Sequence, residues 1–393
     1  MYHEILNSLG KGEARFLVDD YLSSLKGIQR IPAKCTGNAS YFVVRGHDRS
    51  PSTAFLVTAR KTFSVASSSG EDRQVNNETY SRLLAANIAS ATLALKTLSE
   101  DRPPQTDVFL VILGDEAEKR KYQRHTVDPV KGASAGDYGN TIFGTHLVVV
   151  ESTGLRACSV QKGCIVFKLC IKGKLHHPAF PWLGQNPWNA LMRFGENLNE
   201  IMRPKHSIYP VEVGEAPPLI LSRFLLGYPT MTPTHIKATD PAIIGESIPV
   251  EIEYYASTPP EFSHTDFKDK LSSVVVEVTK GSGCETSIEE IFEEEPFRED
   301  SHSPIVAALS QAFLKSTGFD PIFEWLPFPI SARELKSTGF AKDVVAFGPG
   351  DLTLTNEQNE LGIVGEAFRA SRILARIPCE VAALEDRQES GGR

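Results

Sequence analysis

Two unbroken apolar runs of strand length, Val108 to Leu113 and Leu147 to Val150, constrain this chain most. A strand exposed on one face alternates polar with apolar residues, whereas a strand covered on both faces stays apolar throughout. With a helical stretch at Asn76 to Leu98, whose stripe is Leu83, Leu84, Ile88, Ala91, Leu95 and Leu98, these runs predict an α/β fold. Its sheet is expected to be mostly parallel, with helices on both faces. Ligands in such sheets gather beyond the carboxyl ends of the strands. Asp115, Glu116 and Glu151 stand there, each just after an apolar run.

The rest of the chain fits around this layout. Gly12 to Lys26 has helical spacing, Tyr41 to Val44 and Ala54 to Thr58 read as strands, and Gly46-His47-Asp48 between them reads as a surface turn. From about Leu155 the pattern changes to alternating strands, Ile165 to Ile171 and Ile248 to Tyr255. A helix at Pro187 to Met202 is expected to carry Trp188, Leu191, Met192, Leu198 and Ile201 on one side. A second helix, Asp266 to Val274, leads to a short β run near Val276. Strand, helix, two strands, helix, strand is the ferredoxin-like order. The acidic stretch Gly281 to Asp300 reads as a solvated linker. Helix Ile305 to Lys315, strand Val344 to Phe347 and helix Leu361 to Ile377 then resume the first domain. The expected division is residues 1–154 and 281–384 for a catalytic-type α/β domain, 155–280 for an inserted α+β lid, and 385–393 for a frayed tail.

A chain of 393 residues exceeds what one core usually supports, which agrees with two domains. Its 41% hydrophobic and 23% charged residues exclude a mainly disordered or membrane-embedded class, and the apolar runs are too short to span a bilayer. The start, Met1-Tyr2-His3-Glu4, has no leader pattern, so a cytoplasmic location is expected. A net charge of -8 disfavours nucleic acid or anionic membrane as partner. Six cysteines lack any Cys-x-x-Cys pair. Cys158, Cys164 and Cys170 recur at an even spacing, which makes them small buried hydrophobes on one face rather than a metal cluster.

The segment Val150-Glu151-Ser152-Thr153-Gly154-Leu155, then Gln161-Lys162-Gly163, Ile171-Lys172-Gly173-Lys174-Leu175-His176-His177 and Pro181 to Asn186, resembles the zinc aminoacylase and carboxypeptidase family. That family includes acetylornithine deacetylase, succinyl-diaminopimelate desuccinylase, glutamate carboxypeptidase and the carnosine-type dipeptidases. Gly348-Pro349-Gly350-Asp351 with Asn359-Glu360 is a second match. The resemblance implies a phosphorylase/hydrolase-like catalytic domain interrupted by a ferredoxin-like dimerisation domain. It also implies a homodimer, a small amino-acid-like or peptide substrate, and a dinuclear zinc centre with a proton-shuttling Glu.

Each ligand position is a test, because zinc takes nitrogen, thiolate or carboxylate donors and gains almost nothing from Ala, Thr, Leu or Asn. The family's His-x-Asp falls at Thr58-Ala59-Arg60-Lys61-Thr62 and is missing. The bridging Asp falls at Leu83-Leu84-Ala85-Ala86 and is absent. In Asp115-Glu116-Ala117, Glu116 matches the general base while Ala117 replaces a ligand. Glu151 matches a ligand and is kept, and the last His falls at Thr355 or Asn356. His177 matches the small-domain histidine that polarises the scissile carbonyl, with a surface histidine beside His176 as the plain alternative. The Arg that binds the substrate carboxylate is replaced near Tyr254 or Tyr255.

The residues thus imply Glu116 and His177 as catalytic, Glu151, Gly348, Pro349 and Gly350 as substrate-binding, no metal ligand beyond Glu151, and no cofactor. The resulting reading is a zinc-peptidase-like protein acting on amide or aminoacyl substrates by metal-independent chemistry. A non-catalytic binding or assembly homologue is one alternative. A conventional metal-dependent amidohydrolase, with zinc as cofactor, is another and requires a different ligand alignment.

Overall fold

The computed structural model describes residues 1–9, 14–31, 39–58, 78–101, 103–113, 144–174, 176–177, 179–202, 229–238, 247–330, 332–351 and 360–391. The large domain opens with α1 (Tyr2–Leu9), α2 (Ala14–Ser23), β1 (Ile28–Ile31), β2 (Ala39–Val44), β3 (Asp48–Thr58), α3 (Glu78–Glu100), β4 (Thr106–Leu113), β5 (Thr145–Val149) and β6 (Ala157–Gln161). The small domain follows as β7 (Gly163–Lys174), α4 (Pro187–Met202), β8 (Thr230–Ala238), β9 (Ser247–Thr258), α5 (His264–Ser282) and β10 (Glu285–Glu294). The chain then returns through β11 (Phe297–Arg298), α6 (Pro304–Thr317), β12 (Phe323–Leu326), α7 (Ala332–Ser337), β13 (Ala341–Ala346), α8 (Glu360–Leu374) and α9 (Ile377–Gly391).

The large sheet runs β1-β2-β4-β3-β5-β13-β6-β11, with β12 beside β6. It is mixed, which corrects the expectation of a mostly parallel sheet. The centre β4-β3-β5-β13 is parallel, whereas β1, β2, β6 and β11 join it in antiparallel pairs. An apolar run reports burial on both faces and says nothing about strand direction. Burial itself follows the pleat. Phe42, Phe55, Val57, Leu110 and Val148 face the core beneath α3, α6, α8 and α9, while Val43, Leu56, Val111, Leu147 and Val149 face the core beside α7.

The small sheet has the order β10-β7-β9-β8, all antiparallel, as the ferredoxin-like arrangement requires. Here the sequence expectations need three corrections. Val276 lies inside α5, not on a strand, because Phe267, Leu271, Val275 and Val278 extend a helical stripe through it. The acidic stretch is not a linker. Residues Glu285 to Glu294 form edge strand β10 along the whole of β7, with Ile288 packed on the core and glutamates guarding the open edge. Third, α4 turns Ala190 and Phe194 inward and leaves Trp188 and Met192 exposed, so these two do not share the buried side.

At the other end of the chain, the expected helix Leu361 to Ile377 is α8, which ends at Leu374, and a further helix, α9, follows from Ile377. Residues Glu385 to Gly391, expected to fray, are the last turns of α9. Glu385 is held by His146 at 3.0 Å and Lys342 at 3.0 Å. Among the described residues no helix is long and apolar enough to cross a membrane.

Candidate functional site at the carboxyl edge of the large sheet

Beyond the carboxyl ends of β5 and β13, two turns are laced together. The Gly154 N–H donates to the Gly350 carbonyl at 2.7 Å and the Leu155 N–H to the Gly348 carbonyl at 2.9 Å. The Thr153 hydroxyl accepts from the Gly348 N–H at 3.1 Å and donates to the Arg156 carbonyl at 2.8 Å. Arg156 ties the same turns through Asp351 at 2.6 Å and reaches Glu324 on β12 at 3.0 Å. Leu155 takes φ 59, a left-handed conformation that a branched residue adopts only when its surroundings enforce it.

This lacing explains the glycines. A Cβ on Gly348 would strike the Glu151 carbonyl and sit 3.1 Å from the Asn87 amide oxygen. At Gly350, φ is 77, a Cβ would collide with Leu83, and the N–H donates to Glu366 at 2.7 Å. Glu151 is half-buried; its Oε1 accepts from the Ser152 N–H at 2.9 Å and from Asn87 Nδ2 at 3.4 Å, and Nδ2 also donates to Ser152 Oγ at 3.1 Å. The structure therefore brings Glu151, Gly348, Pro349 and Gly350 to one place. Asn87, which the sequence reading passed over, lines it too; an Asn on the buried stripe of α3 was the available signal.

Glu116, with Asp115 and Ala117, lies outside the described residues, as do residues 59–62 and both Thr355 and Asn356. His177 is exposed beyond the end of β7, its Nδ1 accepting from the Ala179 N–H at 3.1 Å and its ring 5.8 Å from Phe180. The hairpin ladder of β6 with β11 continues into β7 with β10, and it leads away from the edge where Glu151 stands. Twelve-residue β7 alone carries His177 about 40 Å from the junction. The fold does not join His177 to Glu151 along this path. Tyr254, near the position of the substrate-binding Arg, is buried and stacked 5.3 Å from Phe167, and burial pushes its hydroxyl up to about 12.

The edge does not fit a dinuclear zinc site in its described part. Leu83, an apolar side chain 1% exposed, lies against Gly350, Asn87 offers a neutral amide, and Glu151 is the carboxylate beside Asn87. One group able to coordinate a metal ion is found among the described residues: His264, Glu293 and Glu295. These are three donors rather than a dinuclear set, and they stand elsewhere. Thr258, hydrogen-bonded to His264 at 2.6 Å, pairs with Gly163 past the far end of β6, about 20 Å along that strand from the Glu151 edge. Burial opposes ionisation of Glu293, but hydrogen bonds from Lys268 and His264 outweigh it and hold the carboxyl below its usual range. Lys268 lies 2.7 Å from Glu293 and Arg333 3.5 Å from Glu295. Protein cations already serve these carboxylates.

Cys158 and Cys164 are poor nucleophiles. Burial pushes Cys158 and Cys164 up to about 12, where the reactive thiolate is negligible at neutral pH.

Comparison with known proteins agrees with this anatomy. Residues 160–280 match the peptidase dimerisation domain of the M20 family. A probable carboxypeptidase of Aspergillus clavatus is 30% identical over 117 residues, 29% of this chain and 26% of that protein. One of Talaromyces marneffei is 31% identical over 107 residues, 27% of this chain and 22% of that protein. The shared stretch thus spans about a quarter of the length of these relatives. Human carnosine dipeptidase 1 superposes with a TM-score of 0.65 at 12% identity, covering 97% of this chain and 96% of that one. A hydantoinase/carbamoylase-family amidase of Burkholderia multivorans gives 0.63 at 13% identity, covering 97% and 98%. The chain has the M20 peptidase fold, with its inserted dimerisation domain.

Proposed function

We propose that this protein acts on amide or aminoacyl substrates by metal-independent chemistry on a zinc-peptidase fold. The observation that carries the reading is the lining of the carboxyl edge, where buried Asn87 stands beside Glu151 and buried Leu83 lies against Gly350, neither of them a metal-binding side chain. Glu116 takes a proton from the attacking water and passes it to the leaving amine. His177 hydrogen-bonds the developing oxyanion. Because β7 carries His177 away from Glu151, the histidine serves the site of a second subunit, and a homodimer through the small domain is part of the proposal. Glu151 and the Gly348-Pro349-Gly350 turn hold a small amino-acid-like or peptide substrate, and the protein works in the cytoplasm.

The test is an assay of the purified chain against N-acyl amino acids and dipeptides, with and without chelator, beside its metal content. Activity that survives chelation and falls at least about 100-fold in Glu116→Gln and in His177→Ala is expected. Bound zinc with chelator-sensitive turnover would replace the reading by a conventional amidohydrolase. Activity that neither substitution changes would remove the catalytic roles.

A binding or assembly role is the second reading, and a specific observation favours it. Phe180, Trp182, Leu183, Trp188 and Met192, in the segment after β7 and on α4, are all exposed, Trp182 by 72%. Apolar exposure of this density marks a contact surface. Absence of turnover on every substrate, with stable capture of a second chain, would favour it.

A further inference from the structure

Asn87 holds an unusual position at the carboxyl edge. Its side chain is 3% exposed, and its amide nitrogen donates to Ser152 Oγ and toward Glu151 Oε1. That orientation is set by the carboxylate, which accepts and cannot donate while ionised. The amide oxygen is left as a buried acceptor with no hydrogen-bond partner, beside the Cα of Gly348, where any side chain would cover it. Such an acceptor costs stability unless something supplies a donor.

The surrounding charge says what kind of donor fits. Among the described residues, the charged side chains hydrogen-bonded or ion-paired to the two turns are Glu151, Asp351 and Glu366, with Glu324 joined through Arg156. Arg156 is the cation among them, and it is engaged by both Asp351 and Glu324. The surplus is negative, so a cationic donor is favoured over a neutral one.

Donor count separates an ammonium from a metal ion. Magnesium takes six oxygens in octahedral array and calcium six to eight. The recess presents the Asn87 amide oxygen, the Ser152 hydroxyl and a carboxylate whose Oε1 already receives two N–H groups. An ammonium carries three N–H donors and is satisfied by that many acceptors. We infer that the recess formed by Asn87, Ser152 and Glu151 binds a primary ammonium group, the free amino end of an amino-acid-like molecule, entering over half-exposed Glu151. The inference rests on the metal-free reading of this edge and adds the chemical class of ligand; it does not require turnover.

The test is titration calorimetry of the full chain with leucinamide, N-acetyl-leucinamide, zinc chloride and magnesium chloride. Saturable binding of leucinamide, at least about tenfold tighter than its N-acetylated form, is expected, with a similar loss in Asn87→Leu. Equal binding of the two amides, or binding of neither, overturns the inference, and this wild-type comparison stands even where the variant fails to fold. If catalysis persists under chelation while leucinamide does not bind, the ammonium site alone is wrong. Zinc or magnesium binding that Glu151→Gln abolishes sinks the metal-free reading as well.

Discussion

The two ends of β5 carry polar groups buried to nearly the same degree and treated in opposite ways. At the amino end, His146 is fully buried with Nδ1 2.7 Å from Asp343 and Nε2 3.0 Å from Glu385. Asp343 also accepts from the Ile305 N–H at the start of α6, at 3.2 Å. Each polar atom of the ring has a partner, and the cluster joins the sheet to α6 and α9. At the carboxyl end, Asn87 is equally buried, yet its amide oxygen is unmet. A satisfied network fixes a fold, whereas a buried acceptor left unmet calls for a donor, which the inferred ammonium would supply at Asn87.

The strongest way to break this contrast is His146→Ala. It leaves Asp343 and Glu385 facing a void, so a loss of about 3–5 kcal/mol is expected in urea unfolding. A loss below about 1 kcal/mol would make the amino-end network dispensable.

Lys162 offers a smaller effect with a defined pH window. It is 3% exposed at the junction of the domains, and burial pulls its ammonium down to about 8 from 10.5. The unfolded chain therefore binds more protons between these values, so this group makes stability rise as pH climbs from 8 to 10.5. The size is about 3 kcal/mol, an order-of-magnitude figure. Lys162→Met should be more stable than wild type at neutral pH, with the advantage shrinking across that window.

Glycines at the two ends give the next comparison. Gly144, just before β5, has φ 75 and open space around its Cβ position, so Gly144→Ala should cost only the backbone term, about 1–2 kcal/mol. Gly350, at φ 77, also meets Leu83, and Gly350→Ala should cost about 1–3 kcal/mol more. Equal costs would mean that Leu83 yields freely. The smallest effect is expected for Asn87→Leu, which loses the hydrogen bonds to Ser152 and Glu151 but also removes the unmet acceptor. Its stability should stay within about 1 kcal/mol of wild type, in contrast to His146→Ala.

Much of the architecture was legible along the chain because it follows from periodicity. The apolar runs of β4 and β5, the stripe of α3 and the bounds of α4 at Pro187 and Met202 lie close to where their patterns put them. Misreadings occurred where two faces competed or charge hid a pattern. Helix α4 has apolar residues on two sides, and only packing on the small sheet decided that Phe194 goes in and Trp188 stays out. The glutamates of β10 masked the inward Ile288, and strand direction is invisible to hydrophobicity. At the candidate site, Glu151 and the Gly348-Pro349-Gly350 turn could be named from sequence and are adjacent in the fold.

The sequence by itself determined the layers and the kinds of side chain that stand where the resemblance places metal ligands. Those are properties of local spacing and side-chain chemistry. Tertiary structure alone decided that the large sheet is mixed, that β7 carries His177 away from Glu151, and that Asn87 meets Glu151 from 64 residues away. Strand order, register and the satisfaction of a buried amide depend on contacts between distant segments, and no local pattern encodes them.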